Sequence, residues 1–201
     1  MASKKKGFPV SRRDFIRTVG AGGLATGVLT TVNVGAQTGV REIGPGEVPV
    51  VLTINGRKHQ LAVEPRTTLL DAVRQRLNMT GVKRVCDRAS CGACTMIVDG
   101  RTVYACSILA IEAQGKVIRT VEGLATGNAL HPVQEAFCEH DGLMCGFCTP
   151  GLVVATTALL EKTPNPTLEQ AKRALDGNIC RCGTYTKVLK AATSTKGVRR
   201  G

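Results

Sequence analysis

The sequence predicts an α+β chain in which a β-rich half of β-grasp type is followed by a small all-α four-helix bundle. Three observations carry this. Two pairs of β-branched, apolar runs flank Asn55-Gly56 and Asp99-Gly100, hairpin signals because these residues tolerate positive φ. A single helical pattern lies between the two hairpins. Beyond residue 122 the strand signals stop and four helical patterns follow, several with proline near their starts. The 201 residues, 43% of them hydrophobic, suffice for one ordinary domain or two small ones.

Residues 1–36 read as an export signal. Arg12 and Arg13 sit in a polar stretch, Val19 to Val34 form a weakly apolar run, and Val34-Gly35-Ala36 supplies small residues before a cut after Ala36. The apolar run is short and glycine-rich for a membrane-spanning helix. The stretch "SRRDFIR" resembles the twin-arginine (Tat) signal. That resemblance implies the Tat translocase as a partner during export and a periplasmic location, in solution or at the membrane. Gly20-x-Gly22-x-x-Ala25 fits a loose dinucleotide fingerprint, but no strand precedes it, and it is read as signal composition. Exported cysteines usually become disulfides. A Tat-type route, which carries folded and metal-loaded proteins, removes the force of that expectation.

Residues 37–47 are rich in Gly, Pro and polar side chains and read as a linker. Residues 48–122 form the first expected domain. "VPVVLTINGRKHQLAV" is a hairpin. "TTLLDAVRQRLNM" is a helix capped by Thr68, with Asp71 completing a capping box and Leu69, Leu70, Val73 and Leu77 on one side. "TMIVDGRTVYAC" is the second hairpin and "KVIRTV" a further strand. Residues 123–194 form the helical domain, from "HPVQEAFCEHDG", "TPGLVVATTALLEK", "TLEQAKRALDG" and "TYTKVLKAAT". Residues 195–201 are a basic tail.

The formal net charge is +12. Residues 1–36 contribute +5 of it, leaving +7 on the remainder. A basic chain raises nucleic acid as a partner, but aromatics make up only 3% of residues and no basic helix recurs, so none is expected. Anionic thiolate clusters would offset part of the surplus.

The chain has nine cysteines, an odd number that pairing alone cannot consume. Cys86, Cys91, Cys94 and Cys106 follow C-x4-C-x2-C-x11-C, and the first two intervals match plant-type [2Fe–2S] spacing. A tight loop supplies three thiolates and backbone N–H groups to an anionic cluster, and the small Gly92 and Ala93 allow close approach. A zinc site would favour two C-x2-C pairs or a cysteine–histidine mixture, and His59, His131 and His140 lie at no such spacing. A disulfide framework gives no reason for the Gly-Ala between Cys91 and Cys94. Cys145, Cys148, Cys180 and Cys182 follow C-x2-C-x31-C-x-C, each pair at a helix start, where free N–H groups suit an anion. On the residues alone this set is either a second cluster or a four-thiolate zinc site.

"CDRASCGACT", "CGFCTPG" and "GNICRCGTY", in this order and separation, resemble the iron–sulfur subunit of the xanthine oxidase and aldehyde oxidoreductase family of molybdenum hydroxylases. With the Tat-like leader, the chain is similar to the periplasmic type. The resemblance spans about residues 48–190. It implies a plant-type ferredoxin-like domain and a helical domain, each holding one [2Fe–2S] cluster. Cys86, Cys91, Cys94 and Cys106 would hold the cluster on the flavin side, and Cys145, Cys148, Cys180 and Cys182 the one nearer the molybdenum cofactor. It also implies a large molybdopterin-binding partner and an acceptor, either an FAD-binding subunit or a c-type cytochrome. Three positions depart from the family pattern. Val85 and Ala89 stand where glycine is usual, and Ala89 is strained if its φ is positive. Met144 stands where a glutamine commonly contacts the pterin, and a thioether donates no hydrogen bond.

The expected function is therefore electron transfer within an oxidoreductase complex, with no catalytic substrate site on this chain and no room in it for a molybdenum or flavin domain. The alternative is a stand-alone exported ferredoxin-like carrier whose helical domain holds structural zinc; a disulfide-rich structural protein is the third reading. Cys138 is expected to be a buried, non-ligand cysteine. His131 is expected as a cap or surface residue and His140 at a solvated helix end. Arg181 is either a tuner of cluster potential or a salt-bridge partner for another subunit.

Overall fold

The computed structural model describes residues 11, 13–17, 43–196 and 198. The chain divides into two units, Met1–Glu42 and Ile43–Gly201. In the first, residues 13–17 form one exposed helical turn that includes Arg13. The Ser11 hydroxyl accepts from the Asp14 amide at 3.2 Å, a helix-start bond. Arg12, the apolar run, the cut after Ala36 and the first part of the linker lie outside the described residues. Among the described residues no helix is long and apolar enough to cross a membrane.

The second unit begins with β1 (Val48–Ile54) and β2 (Arg57–Val63), antiparallel and in register from Val48 opposite Val63 to Ile54 opposite Arg57. Asn55 at φ 49° and Gly56 at φ 76° make the two-residue turn that the dipeptide predicts. A short helix α1 (Leu69–Asp71) follows, capped by Thr68, whose hydroxyl accepts from the Asp71 amide at 3.1 Å. The expected helical run continues to Arg76, but not as a regular α-helix. The chain widens into a π-helical turn over Ala72–Arg76, and Asn78 turns left-handed at φ 55°. The reciprocal half of the capping box is also missing, because the Asp71 carboxylate pairs with Arg84 at 3.1 Å.

Strands β3 (Thr95–Val98) and β4 (Arg101–Tyr104) form the second hairpin, and β5 (Val117–Arg119) completes the sheet in the order β2-β1-β5-β3-β4. Only the β1–β5 pair is parallel. All four residues of β3 are buried, which a strand with one wet face would not show. Met96 and Val98 join the core formed with Leu52, Ile54, Leu70 and Ile118. Ile97 points the other way, into the helical core with Phe137, Leu152 and Leu160.

The helices are α2 (Pro132–Glu139), α3 (Thr149–Lys162), α4 (Leu168–Leu175) and α5 (Tyr185–Ser194). Thr167 caps α4 with a full capping box. His131 caps α2, its Nδ1 accepting from the Val133 amide at 3.2 Å. α3 is the central helix, buried along residues 151–158. It packs on β3 and is tied to the sheet by a bidentate pair between Arg119 on β5 and Glu161, at 2.7 and 2.6 Å.

Candidate metal centres

The first cysteine set is built by one loop and one hairpin end. Residues 86–94 wrap around a point that Cys106 reaches from the short 3-10 turn after β4. The wrap is tight: Asp87, Ala89 and Gly92 have φ of 55°, 54° and 71°. Its reward is aimed N–H groups. Ala89 donates to Cys106 Sγ at 3.2 Å and Ser90 to Cys86 Sγ at 3.4 Å. Cys94 and Cys106 are buried, Cys86 and Cys91 half-buried. The four thiols interact directly, Cys86 with Cys91 and Cys94 with Cys106. Burial pushes the Cys86 thiol up, but hydrogen bonds from the amides of Arg88 and Ser90 and from Cys91 outweigh it and bring it down to about 7. Burial pushes Cys94 up to about 12, with the neighbouring thiols adding to the effect.

The second set is built by two helix starts. Cys148 is the N-cap residue of α3, and Cys180 and Cys182 lie on the loop that enters α5. Gly146 and Gly183, both at φ 79°, turn the chain so that both loops face one site. Cys145 pairs with Cys182 and Cys148 with Cys180. The Phe147 amide, then the Cys182 thiol, holds Cys145 below its usual range. Burial pushes Cys180 up, yet the Thr184 hydroxyl and amide, the Cys148 thiol and the Gly183 amide bring it to about 7. Burial and Cys180 push Cys148 up to about 12. Cys180 is buried, Cys148 half-buried, and Cys145 and Cys182 are exposed. The buried Thr149 hydroxyl has no hydrogen-bond partner, a donor left over at the same helix start.

Both sets fit an anionic iron–sulfide group by the chemistry of their donors: four thiols each, with N–H groups directed at sulfur. Among the described residues no three His, Cys, Asp or Glu side chains are placed to grip a single metal ion. His59, His131 and His140 join neither set; the Nε2 of His140 is hydrogen-bonded to Ser194 at 2.7 Å. Arg181 is exposed between its two cysteines. Cys138 corrects the sequence reading. It is exposed, not buried, because its neighbours Ala136 and Phe137 take the inward face of α2.

Sequence reasoning missed the residues that join the two sites. Tyr104 donates to Gly177 O at 2.9 Å, and Tyr185 OH accepts from the Cys180 amide at 2.7 Å. The Tyr104 bond crosses between the sites, whereas the Tyr185 bond lies within the second; the chain has two tyrosines, and their scarcity was the available signal. Lys83 Nζ stacks on the Phe147 ring, 5.9 Å from its centre, linking the first cysteine loop to the second.

The fold and the thiol sets define a protein built for two iron–sulfur clusters. Residues 52–125 match the family model described as a 2Fe-2S iron-sulfur cluster binding domain, and residues 120–193 match a second, a [2Fe-2S] binding domain. The aldehyde oxidoreductase iron-sulfur-binding subunit PaoA of Escherichia coli O157:H7 is 38% identical over 94% of this chain and 89% of its own length. The nicotine 6-hydroxylase small subunit of Paenarthrobacter nicotinovorans is 45% identical over 75% of this chain and 90% of its own. Among solved structures, quinoline 2-oxidoreductase from Pseudomonas putida 86 superposes with a TM-score of 0.72 at 38% identity, covering 74% of this chain and 92% of that one. The chain belongs to the family of iron–sulfur subunits of aldehyde oxidoreductases and xanthine dehydrogenases.

Proposed function

We propose that this chain is the electron-transfer subunit of a molybdenum-dependent aldehyde oxidoreductase, carrying electrons from a large molybdopterin-binding partner to an FAD-binding subunit or a c-type cytochrome. Cys86, Cys91, Cys94 and Cys106 hold one [2Fe–2S] cluster, within a domain of residues 48–122. Cys145, Cys148, Cys180 and Cys182 hold the other, within residues 123–194. Such clusters accept and release one electron at a time. The chain's own residues bind and tune them: the amides of Ala89 and Ser90 offset thiolate charge, and burial of Cys94, Cys106 and Cys180 keeps water away. Leu143, Met144, Phe147 and Ile179 are exposed apolar side chains beside the second set, which supports a partner covering that face. Met144 is 65% exposed and meets that partner without the hydrogen bond a glutamine would make.

The observation that carries this reading is the pair of four-thiol sets, each with N–H groups aimed at sulfur, in a chain 38% identical to an aldehyde oxidoreductase iron-sulfur-binding subunit over 94% of its length. Elemental analysis of the gently purified complex tests it. About four Fe per copy of this chain, no Zn, and Mo in a co-purifying large subunit is the expected result. About two Fe with one Zn and no Mo would establish the lone carrier instead.

Residues 1–36 act in this reading as a Tat signal delivering the loaded protein to the periplasm, with residues 37–47 as linker and 195–201 as a basic tail. The variant Arg12→Lys with Arg13→Lys should stay in the cytoplasmic fraction. Its recovery from the periplasm would rule the signal out.

A further inference from the structure

The two cysteine sets meet along one seam. The Ile179 amide donates to the Cys91 carbonyl at 2.9 Å. Cys91 belongs to the first set and Ile179 immediately precedes Cys180 of the second. One hydrogen bond therefore closes a backbone path between a thiol of each set. Beside it sits Asn178, 4% exposed. Its Nδ2 donates to Gly92 O at 2.9 Å and to Thr95 Oγ1 at 3.1 Å. The Thr95 hydroxyl donates to the same Gly92 O at 2.6 Å. On the far side of Asn178, Tyr104 holds Gly177 O. Three consecutive residues, 177–179, are thus each fastened to the first domain.

The approach is as close as backbone allows. A methyl group on Gly92 would lie 2.5 Å from Gly177 O, and one on Gly151 would collide with Gly92 O. Glycines let the segments touch but do not hold them. The buried amide of Asn178 does, since both its N–H protons find acceptors and a buried polar group left unpaired is costly.

We propose that Asn178 is a positioning residue for electron passage between the two sites, locking the Cys91 carbonyl against the Ile179 amide so that the path between them is bonded rather than through space. This rests on the two-cluster reading above. The side-chain hydrogen bonds of Asn178 go to Gly92 and Thr95, not to the thiols. Its effect is on the geometry of the link.

The test uses the intact complex with both clusters loaded, comparing it with Asn178→Ala. Iron content should stay at the unmutated level. The splitting of the electron paramagnetic resonance lines that arises from magnetic interaction between the two reduced clusters should shrink. Hydrogen exchange at the Ile179 amide should quicken about tenfold, the factor implied by losing a buried hydrogen bond. Unchanged splitting and unchanged exchange in a fully loaded variant would overturn the inference. If Asn178→Ala loses iron, Thr95→Val, which keeps the bond from Asn178 to Gly92, should show the same changes at smaller amplitude. Loss of iron in both variants would also overturn it, because the network would then serve folding rather than the link. An unmutated complex lacking two interacting clusters would instead refute the parent reading.

Discussion

Ala89 holds φ at 54° with its amide 3.2 Å from Cys106 Sγ. A left-handed conformation costs an alanine on the order of 1 kcal/mol that glycine does not incur. The strain is local and the amide that it aims is backbone, so a glycine would aim the same N–H. Ala89→Gly should therefore raise the stability of the loaded protein by about 1 kcal/mol, read as a higher midpoint in chemical denaturation with iron content unchanged. A lower midpoint would mean that the methyl group itself packs. The same loop was legible residue by residue in the sequence: three cysteines at ligand spacing around Gly92 and Ala93. Cys138 was not legible, because burial on a helix depends on which face meets the core. Phe137 and Ala136 win that face and leave Cys138 to solvent.

At the scale of elements, the helices keep the bounds their caps suggest. α3 begins at Thr149-Pro150 and α4 follows Thr167 with its box. α1 departs because Asp71 is drawn to Arg84 and Arg74 bonds the carbonyls of Thr80 and Val82 at 2.7 and 3.0 Å; tertiary partners beat helical periodicity. The α2 cap carries a pH dependence. Burial pushes His131 below its ordinary 6.5, Arg119 adds to this, and Glu161 and Glu135 oppose it. The unfolded chain therefore takes up the proton first on acidification. The contribution is complete above the unfolded value near 6.5, falls as pH drops through it, and levels off below the folded value. His131→Asn keeps a cap acceptor without the titration. It should flatten the stability profile across this window, and an unaltered profile would show that another group sets it.

At the scale of the whole second unit, two cores share one sheet. β3 divides its side chains between them, and Arg119 and Glu161 join the sheet to α3 across the boundary. The Glu161 side chain is 9% exposed and that of Arg119 21%. Removing the guanidinium takes two charge-assisted hydrogen bonds away from a nearly buried carboxylate. Arg119→Ala should cost about 2–3 kcal/mol, below the fully buried range because water still reaches the arginine. Calorimetry of the loaded protein should show that loss, and a change under about 0.5 kcal/mol would place the docking energy in apolar contacts instead.

By itself the sequence determined the two-part α+β plan, both hairpin turns, the helix starts and the spacing of the cysteines. These are local matters: turn residues need particular φ values, caps need particular side chains, and loop spacing limits which thiols can share a site. Only the tertiary structure decided how the two cysteine sets meet. Asn178 lies 86 residues from Gly92, and Tyr104 lies 73 from Gly177. No spacing rule reaches that far. Such pairs form because burying both faces of β3 brings the α4–α5 loop onto the first cysteine loop, where backbone groups shut off from water must find each other.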